Sequence, residues 1–199
     1  NIRMIHRHKK QQWERSELSF GDVNIADFVY MYKKMQFHNH QNLGFEQLTK
    51  PLSKNYDTEA TWLRLPENVV RQYRNLLQPD RNGYYVRNNH FEGLMFALKN
   101  AALMVTMTEG SDLGVAMSTN ALELSGSTSE EVSLYFYDRY VGGLGFAEKI
   151  YDLIPKVTEQ AIRMISGCRC KNGCAVCIGN DRLDRNVILW GLKNLSEES

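Results

Sequence analysis

The sequence predicts an α+β fold: a small N-terminal antiparallel sheet, then a helical C-terminal half with a four-cysteine zinc loop between two helices. Three observations predict it. Extended, alternating segments crowd the first third of the chain, and apolar residues recur three and four apart after residue 66. All four cysteines fall within residues 168–177.

The strands come first. Val23 and Ile25 alternate with Asn24 and Ala26 before the run Phe28 to Tyr32, and Gln36 to His38 reads as a second extended piece after the basic pair Lys33-Lys34. Leu43 to Leu48 and Thr58 to Leu65 continue the pattern, with Ala60, Trp62 and Arg64 on one side and Thr61, Leu63 and Leu65 on the other. Pro66 then opens a short helix through Leu77. Pro79 to Gly83 is turn-rich. From Asn89 a longer helix presents Phe91, Leu94, Met95, Leu98, Ala101, Ala102 and Val105 as one stripe, closed by Gly110. Ser125 to Ser129 reads as a loop, and Val132 to Tyr137 as a buried strand ending at Asp138. Next comes a glycine-rich turn, then a helix marked by Phe146, Ile150, Leu153, Ile154, Val157, Ala161, Met164 and Ile165, which Pro155 should kink or split. After the cysteines, Leu183 to Leu195 fits a last amphipathic helix ahead of a polar tail.

Cys168, Cys170, Cys174 and Cys177 lie in the segment Gly-Cys-Arg-Cys-Lys-Asn-Gly-Cys-Ala-Val-Cys. Four thiolates around a divalent cation carry a charge of about −2, which Arg169, Lys171, Arg182 and Arg185 are placed to offset. Gly167 and Gly173 are expected to take the positive backbone angles of a tight loop. The Cys174/Cys177 pair is a C-x-x-C zinc knuckle; the shorter Cys168/Cys170 pair is less usual, and zinc is preferred to an iron–sulfur cluster. Other readings fit less well. The flanks are too polar for a core segment, Cys168 and Cys170 are too close for an easy disulfide, and a redox C-x-x-C using Cys174 and Cys177 would not normally carry a second pair beside it. With four sulfur ligands no coordination position stays open, so the zinc is structural.

Composition sets the frame. The 199 residues, 43% of them hydrophobic, are enough for one sizeable core, and a net charge of +1 gives no global footprint for nucleic acid. No apolar run approaches the ~20 residues that cross a bilayer, so no membrane partner and a cytoplasmic location are expected. Asn1 at the head points to a fragment of a longer chain.

Catalytic signatures are sparse. A G-x-x-x-x-G-K-[ST] loop is absent. The amides of Gly142-Gly143-Leu144-Gly145 would suit a phosphate at a helix N-terminus, but a tight turn needs the same glycines and is the favoured reading. Asp138 reads better as a cap for the following helix than as a catalytic carboxylate. His6/His8 and His38/His40 have the i, i+2 spacing of metal pairs, yet their polar and basic surroundings fit exposed strand histidines. Lys33, Lys34, His38 and His40, with Tyr30 and Tyr32, combine charge and rings as a single-strand nucleic acid surface does, and equally as a solvated strand face does. Trp13, Trp62 and Trp190 are assigned to packing.

The string Tyr135-Phe136-Tyr137-Asp138, Gly142-Gly143-Leu144-Gly145-Phe146, a helix, Cys168-x-Cys170, Gly173-Cys174-x-x-Cys177, Asn180 and Leu183-Asp184-Arg185 resembles the C-terminal zinc-binding domain of the mitomycin repair factor A type of DEAD/DEAH-box DNA helicase. The likeness runs over about residues 131–195; Thr58 to Trp62 and the strands before it resemble the family more loosely. It implies that the four cysteines bind zinc and that residues 1–199 form one accessory domain, mainly strand over 1–65 and mainly helical over 66–199. It also implies that this domain rides on an ATP-dependent helicase motor that moves along single-stranded DNA in repair. Asp138, Gly142 and Gly143 match a family motif without an assigned role. Ala175 stands where the family often has proline. The missing motor motifs agree with a C-terminal fragment of a helicase whose motor domains and single-stranded DNA are its partners. Arg169 and Lys171, with Lys33, Lys34 and His38, are the candidate nucleic-acid contacts. A redox enzyme using Cys174 and Cys177, or a docking module without DNA contact, are the alternatives.

Overall fold

In the computed structural model, which describes residues 1–76, 90–124 and 127–196, polar and apolar strands alike find antiparallel partners. The strands are β1 (Ile2–Trp13), β2 (Ser16–Met35), β3 (Asn42–Arg64), β4 (Leu113–Leu124) and β5 (Ser127–Asp138), in the spatial order β1-β2-β3-β5-β4. The helices are α1 (Glu67–Asn75), α2 (His90–Thr106), α3 (Phe146–Ser166) and α4 (Arg185–Ser196). The α+β class holds. The sheet is larger than its N-terminal part, because β4 and β5 add two strands from the C-terminal half.

Period-2 alternation splits the sheet residues between two faces. Leu18, Phe20, Leu63, Leu134 and Phe136 bury against the apolar stripes of the helices, in a core that includes Leu94, Leu98, Ile150, Ile154, Val157 and Ile188. On the other face Val23, Ile25, Tyr56, Ala60, Trp62, Tyr135 and Tyr137 form a second cluster, with Trp62 and Tyr135 stacked at 5.5 Å. Beyond about residue 27 the β2–β3 pair continues with neither β1 nor β5 beside it, and residues 27–35 are all exposed. It is a two-stranded ribbon standing off the sheet.

Several local expectations change. Gln36 to His38 is no extended piece but part of the turn closing the ribbon: Gln36 N–H donates to Gln41 O at 2.9 Å, and His40 takes a φ of 53°, the left-handed region that histidine enters more readily than most side chains. The stripe residues of α2 stand, but the helix stops at Thr106 rather than near Gly110, with Met107 at φ 56° and Thr108 N–H bonded back to Leu103 O at 3.1 Å. Pro155 neither splits nor ends α3, which runs unbroken from Phe146 to Ser166. Ser127 to Ser129 already belong to β5. The turn read at Pro79 to Gly83 lies outside the described residues, as do Ser125, Gly126 and the last three residues of the tail.

Candidate metal centre

α3 ends at Gly167, and its last turn delivers Cys168, whose N–H donates to Ile165 O at 3.2 Å. From there the chain doubles back under α2 and into α4. Cys177 and Ile178 are buried in the helical core, and Gly179, at φ 78°, turns against the ring of Phe96. The expected role for Gly167 and Gly173 is corrected here: Gly167 has a helical φ of −78°, and Gly173 is not among the positive-φ residues. Gly173 is required by crowding. A Cβ there would lie 2.5 Å from both Leu183 O and Ile178 Cδ1.

This loop brings the four sulfurs together. Cys168 and Cys174 Sγ are 3.7 Å apart, Cys170 and Cys177 3.7 Å, and Cys174 and Cys177 3.5 Å, with all four ligand atoms within 4.8 Å of one another. A tetrahedron with zinc–sulfur bonds of about 2.3 Å has sulfur–sulfur edges of about 3.8 Å, so the quartet fits that cation. The surroundings favour thiolate unevenly. The backbone amide of Cys177, its thiol and the amide of Val176 hold Cys174 down to about 7, whereas burial beside the other sulfurs pushes Cys177 up to about 12 and also raises Cys170. A bound cation supplies the charge that keeps all four deprotonated. Arg185 closes the loop, donating to Cys168 O at 2.5 Å with its guanidinium 3.9 Å from Cys170 Sγ. Arg169, Lys171 and Arg182 lie exposed around it.

At the far end of α3, Asp138 is fully buried and its carboxylate accepts from the backbone N–H groups of Leu144, Phe146 and Ala147 at 2.5, 3.2 and 2.9 Å. Gly142 and Gly143, at φ 78° and 79°, turn the chain back so that these amides converge; Gly142 N–H itself bonds to Asp57 O and Gly143 N–H to Tyr140 O. Of the amides expected to receive a phosphate, those of Gly142 and Gly143 are thus taken by backbone carbonyls and that of Leu144 by the Asp138 carboxylate.

The other candidates do not form one surface. Phe28, Tyr30, Tyr32 and Lys34 alternate onto one face of the ribbon, Phe28 and Tyr30 stacking at 6.1 Å, while Lys33 lies on the opposite face. Lys34 and Tyr32 both engage Glu46, which raises the lysine and lowers the carboxylate. His38 sits at the ribbon tip, beside Phe37, far along the chain from Arg169 and Lys171. Sequence reasoning missed a groove of about 470 Å³ on the face away from the helices, where Arg3, Arg7, Lys10 and Arg64 surround Trp62 and Tyr135 with Glu17 and Glu131 among them. Its residues come from all five strands, so no local motif announces it.

Comparison with known proteins bears out the resemblance read from the sequence. Residues 94–178, which include all four cysteines, match the family model of the MrfA Zn-binding domain. The chain is 23% identical over 180 residues to the ATP-dependent helicase YprA of Bacillus subtilis (strain 168), covering 90% of this chain and 22% of that protein. A 49-residue stretch is 31% identical to the protein MJ1572.1 of Methanocaldococcus jannaschii, covering 25% of this chain and 44% of that one. Among solved structures, the DUF1998 helicase MrfA bound to DNA superimposes with a TM-score of 0.66 at 21% identity, over 98% of this chain and 24% of that one. MrfA in another crystal structure gives 0.56 at 19% identity, over 96% and 23%. The chain therefore spans about a quarter of the helicases it matches.

Proposed function

We propose, from a chain that carries a match to the MrfA Zn-binding domain, that it is the structural-zinc accessory domain of an ATP-dependent superfamily 2 DNA helicase acting in DNA repair. In this reading it packs on the motor of its parent and helps to engage single-stranded DNA. The observation that carries it is the sulfur quartet, whose edges suit a tetrahedral cation and whose loop ties α3 to α4. The zinc adds no reaction of its own when four sulfurs fill its coordination sphere; it holds the helices in register. Strand contact is assigned to the aromatic and basic face of the ribbon, with Arg169 and Lys171 on the metal loop as a second contact.

Elemental analysis of purified protein tests the metal: one zinc per chain is expected, with the thiols resistant to alkylation until a chelator is added. A metal-free chain that keeps α3 and α4 docked overturns the reading, and prompt alkylation of Cys174 in metal-loaded protein favours a thiol–disulfide role for Cys174 and Cys177 instead. One further observation favours a second reading of the ribbon. Val29, Met31, Met35, Phe37, Phe45 and Leu52 are all exposed on it, as in a protein-docking surface. Replacing Lys33 and Lys34 by Glu in the parent helicase separates the two: weakened, less salt-sensitive DNA binding supports strand contact, and unchanged binding supports docking.

A further inference from the structure

A second cluster of metal-binding side chains lies at the edge of the sheet, with no cysteine in it. His6, His8 and Asp22 hold one ligand atom each within 4.8 Å of the others. They are brought there by register. β1 carries bulges between Met4 and His6 and between Arg7 and Lys9, and His6 pairs directly with Asp22 of β2. Gly21 makes the close approach of the bulged strand possible, because a Cβ there would overlap the carbonyl of His6. Asp22 shares a sheet face with Phe20, and the His8 ring lies 5.8 Å from that of Phe20 at the rim of the helical layer.

The ring geometry has a direction. His6 Nδ1 and His8 Nδ1 face each other at 3.1 Å, while His8 Nε2 lies 3.0 Å from Asp22 Oδ2. An Nε2–H donated to that carboxylate leaves the Nδ1 lone pair of a neutral His8 aimed at His6. Two imidazole nitrogens on a tetrahedral divalent ion, at metal–nitrogen bonds of about 2.0–2.1 Å, stand about 3.3 Å apart. The observed spacing is within a few tenths of an ångström of that edge. A carboxylate on the far nitrogen of a ligating histidine is the usual orienting partner in such sites.

We propose that His6 and His8, oriented by Asp22, form an exchangeable binding site for a divalent transition metal, separate from the cysteine centre. Two neutral imidazoles with open positions for water suit nickel, copper or zinc rather than calcium or magnesium, whose ligands are oxygens. The side chains of His8 and Asp22 are 40% and 41% exposed, so the ion enters and leaves from solvent. Bound, it bridges the two bulges of β1 and fixes that edge strand beside the Lys9–Glu148 ion pair, which already ties β1 to α3 at 2.7 Å.

The test uses tag-free protein with its cysteine centre loaded with zinc, titrated with Cu²⁺ and followed by calorimetry and electron paramagnetic resonance. One equivalent of copper is expected to bind without displacing zinc, with a spectrum showing coupling to two imidazole nitrogens. The double variant His6→Ala, His8→Ala should lose that equivalent and keep its zinc, although His38, His40 and His90 remain. Asp22→Asn retains both rings and should weaken copper binding by about 10–100-fold. Undiminished binding in the double variant, or no nitrogen-coordinated equivalent at several-fold excess of copper, overturns the proposal. Retention of zinc and of the far-ultraviolet circular dichroism spectrum in each variant separates loss of the site from loss of the fold.

Discussion

Single side chains carry more of this molecule's organisation than their number suggests, and Asp138 is the clearest case. Its buried carboxylate satisfies three amides at the start of α3, each bond strengthened by the negative charge. Asp138→Ala strands those amides and should cost about 3 kcal/mol, measured by urea unfolding; a loss near zero would show that water replaces the carboxylate. The capping role was legible, since an acidic residue between a strand and a glycine-rich turn has few better uses. The grouping of His6 and His8 with Asp22 was not legible, because it depends on two bulges that no local pattern encodes. His90 supplies a pH effect. Burial holds it below its ordinary value of 6.5, with Asp184 pulling the other way. A base depressed in the fold is protonated more readily in the unfolded chain, so its stabilising share is full above pH 6.5 and is lost as pH falls through the depressed value. The unfolding midpoint should therefore decline below pH 6.5, and His90→Gln should flatten that decline.

Among elements, helices were read better than strands. The stripes of α2 and α3 are continuous over several turns, so a periodicity of three and four survives wherever the helix packs. β1 is different: Arg3, His6, Arg7, Lys9 and Lys10 make it polar and highly charged on both faces, and only pairing with β2 makes it a strand. β4 escaped notice for a related reason. It is an edge strand, and its first residues include Gly114, where a Cβ would strike the ring of Tyr137, so packing from the neighbouring strand replaces the side-chain signal that a sequence would show. The zinc loop was legible because all its ligands are local; the glycine that crowds it was identified with the wrong reason attached. Since the loop lies between α3 and α4, its effect should be confined to them. Hydrogen exchange after chelation should show lost protection over the last turn of α3, the loop and α4, with β2 and β3 unchanged near Leu18 and Leu63, and uniform loss across the sheet would show that the metal governs the whole core.

For the molecule as a whole, the core and the ribbon are separate concerns. Residues 27–35 are exposed, and the opposing part of β3 is exposed over most of its length, so the ribbon adds little burial to the fold. Replacing Tyr30 to Pro51 by a two-residue Asn-Gly turn, which joins the paired residues Val29 and Leu52, should leave the thermal midpoint of the zinc-loaded protein unchanged. A lowered midpoint would mean that the ribbon supports the sheet. Its length came from pairing between distant residues such as Met31 and Gln47, whereas the sequence indicated only separate short extended pieces.

α3 has 21 residues and so extends about 30 Å, anchored by a carboxylate at one extremity and by sulfur at the other. It behaves as a strut laid along the sheet: Ile150, Ile154, Val157, Ala161 and Ile165 are buried between the two anchors, so a shift at the thiolate end is felt along its whole buried face.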